Sequence, residues 1–504
     1  MEKSVEVKTT NGNRYLYNSS NKSFLFCHPL LSYFINAYQN NRQIYSEEEL
    51  PKVLHLNSKI NFDEDEIKYY HKKFTHLFRL GFIGPWSTDD LFQTDLSSEV
   101  TDNTLANISN IVFEVTDTCN LKCKYCGYGE FYNDYDSRAN LFMDFSVAKK
   151  IFDFLLPRWS SNWNRSLKQN VNIGFYGGEP LLNMNFIRSV VDYVDALSIK
   201  ERTFTFNMTT NGVLLDRYLD YLIEKDFQLL ISLDGNKQNH SYRVDHNNKN
   251  SYEKVIKNIR LLREKAPEYF KRRVGFNAVL HDRNSVPEIQ AAIYDEFEKV
   301  PQISPLNNSG IIKEKLDEYN NMFKSYYDDI SEEETMQKLV SERFTSDPNV
   351  FSLTQFINWY NDNVYLNYHE ILLNINRKKI PSGTCLPFNK KMFITVNGKI
   401  LPCERISHRF SLGTINEEVE LDIDAISEYY QSLYKKIIKQ CSNCFRSQNC
   451  PQCLFQLETI THEKTLCTAF SNKESFSNYL SRIISLLEND PEIYNKVVTQ
   501  ITLK

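Results

Sequence analysis

The stretch that most constrains this chain is Thr116-Asp-Thr-Cys-Asn-Leu-Lys-Cys-Lys-Tyr-Cys126. Cys119, Cys123 and Cys126 stand at C-x3-C-x2-C spacing, directly after the β-rich run Ile111-Val-Phe-Glu-Val115. Three thiolates so spaced can wrap a short loop around a cube-shaped [4Fe–4S] cluster and leave its fourth iron without a protein ligand. A cube held by four cysteines suits electron storage, whereas one held by three can also bind a small molecule. A zinc knot, or a plain group of buried cysteines, is the alternative reading of the same spacing.

The other cysteines are also grouped. Of eleven, three lie near residue 120, seven lie between 385 and 467, and only Cys27 stands apart. The start, Met1-Glu-Lys-Ser-Val-Glu-Val-Lys8, lacks the apolar core of a signal peptide, and no uncharged apolar stretch is long enough to span a bilayer. A reducing, cytoplasmic location follows, in which clustered cysteines are read as metal ligands before disulfides. The net charge of −5, from 59 basic and 64 acidic residues, argues against a dedicated nucleic-acid or anionic-membrane surface. With 504 residues the chain exceeds one compact core, so several domains are expected.

Residues 1–86 read as a separate module. Short β-like runs, Val5–Lys8 and Arg14–Tyr17, flank the turn signal Asn11-Gly12-Asn13. A helix is predicted from Pro29, a capping box at Ser46–Glu49 opens a second, and a third runs from Asp65 to a stop at Gly81. The combination is winged-helix-like. Residues 87–107, rich in Ser, Thr, Asp and Asn, read as a linker. From 108 to 305 strand-like runs (Ile111–Val115, Val171–Tyr176, Phe204–Met208, Leu229–Leu233, Val274–Leu280) alternate with amphipathic helices such as Ser146–Leu156 and Ser251–Arg263. That alternation demands a parallel sheet, with the chemistry at the C-terminal ends of its strands. Residues 306–380 read as a helical bridging region, 381–470 as a cysteine-rich domain and 471–504 as a C-terminal amphipathic helix.

Each later strand ends in polar or glycine-rich sequence. Gly177-Gly178-Glu179-Pro180 follows the second strand, where two glycines let a backbone approach a ligand and an acid can accept hydrogen bonds from an ammonium group. The third strand ends in Thr209-Thr210-Asn211-Gly212 and the fourth in Ser232-Leu233-Asp234-Gly235, followed by Arg243, whose fork suits a carboxylate. Simple turns and a solvated surface charge are the bland readings of these segments. Tyr125 is a base-stacking or a core aromatic, and Asn277 is a polar residue within an apolar strand, facing a ligand or satisfied internally.

Taken together, the cysteine triad, Gly-Gly-Glu-Pro, Ser-Leu-Asp-Gly and the seven-cysteine tail resemble the radical S-adenosylmethionine (SAM) enzymes with a SPASM domain. Among these are the peptide maturases and the anaerobic sulfatase-maturating enzymes. The resemblance covers residues 108 to 470. It implies an α/β fold, a partial (β/α)6 TIM-like barrel flanked by the winged-helix-like module and a two-cluster SPASM domain. It implies that S-adenosylmethionine binds the open iron at Cys119, Cys123 and Cys126, and is cleaved by one electron to methionine and a hydrogen-abstracting 5′-deoxyadenosyl radical. Tyr125, Gly177, Gly178, Glu179, Thr210, Asn211, Ser232, Arg243 and Asn277 would lie at the cofactor. Two auxiliary [4Fe–4S] clusters would be held in a crossed pattern, Cys441, Cys444, Cys450 and Cys467 outside, Cys385, Cys403 and Cys453 inside. The family has three residues before the position of Cys453, where this chain has two, Pro451 and Gln452.

By the same resemblance Glu404, directly after Cys403, is a candidate general base, with a surface carboxylate as the alternative. The implied substrate is a ribosomally made precursor peptide, its leader held by the N-terminal module, and the implied product a side-chain cross-link. A flavodoxin or ferredoxin would supply the electron, with no nucleic acid or membrane involved. Formylglycine formation, peptide epimerisation and a non-enzymatic, zinc-stabilised peptide-binding protein are the alternatives.

Overall fold

In β4 (Asn110–Thr116), Ile111, Phe113 and Val115 face one side, Val112, Glu114 and Thr116 the other, and all six are buried. A strand covered on both faces belongs in the interior of a parallel sheet. The computed structural model describes the chain except residues 1, 3, 51–61, 87–91, 93, 162–168, 198, 200–201, 326–347, 360–379, 448–449, 451 and 500–504.

β4 is followed by β5 (Gln169–Gly177), β6 (Arg202–Thr210), β7 (Gln228–Ser232), β8 (Val274–Leu280) and β9 (Gln302–Pro305), each parallel to its predecessor. Helices Phe145–Trp159, Met184–Ala196, Tyr252–Lys265 and Val286–Phe297 connect these strands, and their apolar stripes join one core with Phe113, Ile173, Met208, Ile231 and Phe276. The result is the mixed α/β fold with a large parallel sheet that the alternation demanded. Of these six strands, β9 alone was missing from the strand-like runs. Its four residues, Gln302-Ile-Ser-Pro305, are too few and too polar to show a period.

The sheet does not stop at β4. After the second cysteine-rich segment begins, β10 (Met392–Ile394) pairs parallel to β4, and β11 (Lys399–Leu401), β12 (Gly413–Ile415) and β13 (Val419–Glu420) extend it antiparallel to ten strands. The cysteine-rich domain is thus stitched to the barrel strands by main-chain pairing.

The N-terminal module holds an antiparallel sheet of β1 (Ser4–Lys8), β2 (Arg14–Asn18) and β3 (Ser23–Phe26). Helices Pro29–Asn41 and Glu64–Arg79 pack on it through Leu30, Phe34, Ile67 and Phe74. The expected second helix opens with a 3-10 turn, Glu47–Glu49, with its capping box formed and Leu50 already helical; its continuation, residues 51–61, lies outside the described residues. Cys27 sits in this core, and burial pushes its thiol up to about 12, as befits a small apolar residue. β1 also packs against helix Lys473–Asn489, where Ser477 and Ser481 Oγ donate to Glu6 and Lys8 carbonyls at 2.6 Å. The two ends of the chain therefore share one core, with Val5, Val7 and Tyr17 against Phe476, Leu480 and Ile483.

The polar segment read as a linker is partly a helix, Ser98–Ala106. It buries only Thr101, Leu105 and Ala106, too narrow a stripe to stand out in the sequence. Gln431 Nε2 donates to Leu96 O at 3.0 Å and Thr104 Oγ1 to Pro387 O at 2.7 Å, fastening it to the cysteine-rich domain. Much of the bridging region, residues 326–347 and 360–379, lies outside the described residues; helices Leu316–Met322 and Pro348–Trp359 are described.

Phe113, fully buried between Phe152 and Phe186, sits in the strand that launches the cysteine loop. Phe113→Ala should destabilise the protein by roughly 3–5 kcal/mol, read as a lower urea midpoint at unchanged slope.

Candidate active site

β4 ends at Thr116, and the cysteine loop is pinned from the start. Asp117 accepts Ala139 and Leu141 N–H at 2.7 and 2.8 Å, and Lys122 N–H donates to Val244 O at 2.8 Å. Within the loop, burial and then the charge of Glu179 raise Cys119 to about 11. Cys123 rises to about 12 through burial; Arg243 opposes this, and Cys126 and Cys119 add to it. As thiolates Cys119 and Cys123 would repel one another, and a cationic partner favours their ionised form. Donors already point at the sulfurs: Leu121 N–H and Asn211 Nδ2 to Cys119 Sγ at 3.4 and 3.6 Å, and Arg138 Nη2 to Cys126 Sγ at 3.4 Å. This donor set fits an iron–sulfur cluster, whose sulfurs take such hydrogen bonds.

The next strand end closes on this loop. A Cβ on Gly178 would stand 2.0 Å from Thr118 O and one on Gly177 2.3 Å from Thr116 O. Gly178 N–H and Glu179 N–H donate to those same carbonyls at 2.8 and 2.9 Å. The glycine pair therefore has a reason in backbone meeting backbone. Glu179 is fully buried. Its Oε1 accepts Thr210 Oγ1 at 2.7 Å and Leu181 N–H at 3.1 Å, and its Oε2 accepts Asn211 N–H at 2.8 Å. Burial outweighs these three donors and raises its carboxyl to about 7. Asn211 reaches back to Asn120 Oδ1 at 2.7 Å, so Thr210 and Asn211 join the cysteine loop to Glu179.

The fourth strand end carries a buried ion pair. Arg243 Nε and Nη2 each reach an Asp234 oxygen at 2.9 Å, so two guanidinium nitrogens are committed within the protein, and the surface-charge reading is set aside. Burial alone raises Asp234, but the Arg243 charge and hydrogen bonds, with His281 Nε2 nearby at 3.9 Å, hold it well below the carboxylate range. Tyr125 donates its hydroxyl to Asp234, stacks on His281 (centroids 5.6 Å) and lies under Arg243 (5.4 Å). That places Tyr125 as a core aromatic of this network. Ser232 is buried beside Asn277 in the β7–β8 register. His281, at the end of β8, is the member sequence reasoning missed; a lone histidine carries no spacing signal.

The seven later cysteines fall into two groups. Gly383 N–H donates to Gln452 O at 2.9 Å and Leu454 N–H to Thr384 Oγ1 at 2.8 Å, which brings Cys385 beside Cys453. Burial and then Glu404 raise Cys403, with Cys453 among the further charges it feels. Gln440 accepts Cys467 N–H at 3.0 Å, and Ser471 N–H donates to Cys444 Sγ at 3.3 Å, folding the last cysteine onto the end of helix Ile423–Cys441. Burial and then Cys450, Cys444 and Cys467 raise Cys441 to about 12. Glu404 is not a surface carboxylate. It is half-buried and paired with Lys391 at 2.8 Å; burial works to raise its carboxyl, and Lys391 overcomes it and keeps it low.

Two cavities flank the site. One of about 770 Å³ lies over the loop, bounded by Cys123, Cys126, Arg138, Tyr242 and Arg283. The other, about 340 Å³, lies on the inner face of the sheet, where Asn207, Gln228, Asn277 and Gln302 meet Tyr176 and the Lys391–Glu404 pair. Asn277 is thus a cavity-lining amide.

Residues 113–291 match the radical SAM superfamily model, and residues 385–451 match SPASM, an iron–sulfur cluster-binding domain. Residues 113–291 are thus a radical SAM domain and residues 385–451 a SPASM domain. Several of the similar proteins are named as enzymes, and with the radical SAM match they set the zinc-stabilised binding protein aside. The first domain implies S-adenosylmethionine and a [4Fe–4S] cluster, and the second implies auxiliary iron–sulfur clusters. The chain is 28% identical over 168 residues to a cysteine-type anaerobic sulfatase-maturating enzyme of Clostridium novyi, covering 33% of this chain and only 43% of that enzyme. It is 25% identical over 380 residues to the radical SAM cyclopropyl synthase TigE of Paramaledivibacter caminithermalis, covering 73% and 69%. The solved structure of native anSMEcpe with bound AdoMet and a Cp18Cys peptide shares the fold at TM-score 0.51 and 18% identity, covering 78% of this chain and 99% of that one.

Glu179 gives the site a pH signature. A carboxyl raised to about 7 from an unfolded value near 4.5 stabilises the fold fully below about 4.5 and loses that contribution as pH rises through 7. Cofactor-free protein should therefore lose on the order of 3 kcal/mol between pH 5 and 8 relative to Glu179→Gln. Denaturation at both pH values checks this.

Proposed function

We propose that this protein is a peptide-modifying radical SAM enzyme that forms a side-chain cross-link in a ribosomally made precursor peptide. The observation that carries the reading is the convergence of three loop thiols, their N–H donors and a buried, cation-seeking Glu179 at the C-terminal end of one parallel sheet. Cys119, Cys123 and Cys126 would hold the cluster. When bound, cluster and S-adenosylmethionine supply hydrogen-atom abstraction from an unactivated carbon. The chain's own residues do the rest. Glu179, with Thr210 and Asn211 behind it, would receive the ammonium group of the cofactor. The nitrogen of Arg243 not used by Asp234, with Ser232, would meet its carboxylate. Gly177 and Gly178 would act indirectly, by letting the strand end seat on the cysteine loop.

The 340 Å³ chamber would admit the reacting side chain, its carboxamides binding uncharged polar groups. Glu404, kept ionised by Lys391, could take up the proton released when the substrate loses its second hydrogen. The two groups of SPASM cysteines, read as Cys441, Cys444, Cys450 and Cys467 outside and Cys385, Cys403 and Cys453 inside, would hold auxiliary clusters that accept the second electron.

The module of residues 1–86 would act as a winged-helix-like recognition unit, taking a leader peptide along the edge strand β3. Exposed Phe26 and the His28–Tyr70 stack lie there to receive it. A flavodoxin or ferredoxin in a reducing cytoplasm would supply the first electron. Among the described residues no helix is long and apolar enough to cross a membrane. Ring formation by the cyclopropyl synthase relative favours bond formation; the sulfatase-maturating relatives favour formylglycine formation as the second reading.

Mass spectrometry of a short peptide encoded beside the gene decides between them. Cross-linking removes two hydrogens from that peptide, whereas a sulfatase-derived Cys or Ser peptide gains an aldehyde under the second reading. Cys126→Ala should abolish 5′-deoxyadenosine formation while the SPASM iron is retained; surviving cleavage in that variant contradicts the assignment.

A further inference from the structure

The segment between the third loop cysteine and the first helix crosses from the cysteine loop to the SPASM hairpins and is fastened at both sides. On the SPASM side, His408 N–H donates to Asp134 O at 2.9 Å, Asp136 N–H donates to His408 Nδ1 at 3.2 Å, and Lys399 Nζ meets Asp136 at 2.7 Å. On the loop side, Asp117 accepts the Ala139 N–H. Between these anchors stands Arg138, which sequence reasoning passed over.

Arg138 Nη2 lies 3.4 Å from Cys126 Sγ, and its guanidinium lies 5.0 Å above the ring of Tyr128. Its charge also reaches Cys119. Tyr128 is fixed by donating its hydroxyl to Glu114, a carboxylate only 1% exposed in the middle of β4. The other oxygen of Glu114 accepts Val396 N–H at 2.9 Å, from the turn that joins β10 to β11. A continuous contact path therefore runs from the SPASM hairpin through Val396, Glu114, Tyr128 and Arg138 to a thiol of the radical SAM loop.

We propose that Arg138 is a tuning residue of the three-cysteine site, raising the reduction potential of its cluster from a position set by the SPASM turn through Glu114 and Tyr128. The physical reason is charge. A cube with three thiolates becomes more negative by one charge on reduction, and a guanidinium donating to one of its sulfurs stabilises that reduced state. Stacking on Tyr128 orients the planar fork toward Cys126, which the point charge of a lysine cannot reproduce. The inference rests on the reading that Cys119, Cys123 and Cys126 hold a cluster, and goes beyond it by assigning control of its potential to a residue outside the triad.

The test is a redox titration of the holoenzyme, following by electron paramagnetic resonance the reduced-cluster signal that changes when AdoMet is added. Arg138→Gln should shift its midpoint to a more negative potential, and Arg138→Lys by less. Tyr128→Phe, which keeps the ring but drops the bond to Glu114, should shift it in the same direction. A fully iron-loaded Arg138→Gln enzyme with the unsubstituted midpoint overturns the proposal. Should Arg138→Gln hold no cluster, Tyr128→Phe decides, since an unmoved midpoint in that fully iron-loaded variant is equally fatal. Absence of any AdoMet-responsive signal in the unsubstituted enzyme would instead sink the cluster reading itself, so the two failures are distinguishable.

Discussion

Everything at this site depends on two strand ends lying in main-chain contact. β5 finishes in two glycines because the carbonyls of Thr116 and Thr118 occupy the space where side chains would stand. Hydrogen bonds from Gly178 and Glu179 to those carbonyls then lock the cysteine loop to the neighbouring strand. The contact delivers a buried carboxylate beside Cys119, and through Thr210 and Asn211 it draws in a third strand end. Parallel pairing puts the ends of all these strands on one rim, so a few short loops suffice to assemble the constellation.

Two buried acids on that rim show how environment divides labour. Asp234 has a bidentate arginine and stays ionised, serving as a rigid internal brace for Arg243, Tyr125 and His281. Glu179 has only neutral donors, so burial leaves it near neutrality and short of a cation. A braced pair and an incomplete one side by side are what a scaffold and a binding position look like in electrostatic terms. The incomplete one is where a positively charged ligand gains most.

The SPASM hairpins are part of the same sheet, through β10 on β4. They contribute Lys391 and Glu404 to the inner cavity and Val396 to Glu114. The two iron–sulfur domains therefore meet through shared walls, and a change in one is felt by side chains of the other.

Much of this was legible in the sequence, and the failures share a cause. Thiol spacing, strand alternation and strand-end motifs are local patterns, so β4 to β8 and the triad could be read directly, whereas the division of the later cysteines into two groups came only from the family resemblance. The reason for Gly177 and Gly178 could not be, because the atoms they avoid lie sixty residues earlier. Arg138, His281 and Lys391 carry no spacing signal and acquire meaning only from contacts across the fold. Helix Ser98–Ala106 and strand β9 escaped because each buries too little to leave a period. The central claim is that one iron at Cys119, Cys123 and Cys126 is left for S-adenosylmethionine. Mössbauer spectroscopy of iron-57-enriched, anaerobically isolated protein tests it most directly. A single iron site should change its isomer shift when AdoMet is added; spectra identical with and without AdoMet would contradict the account.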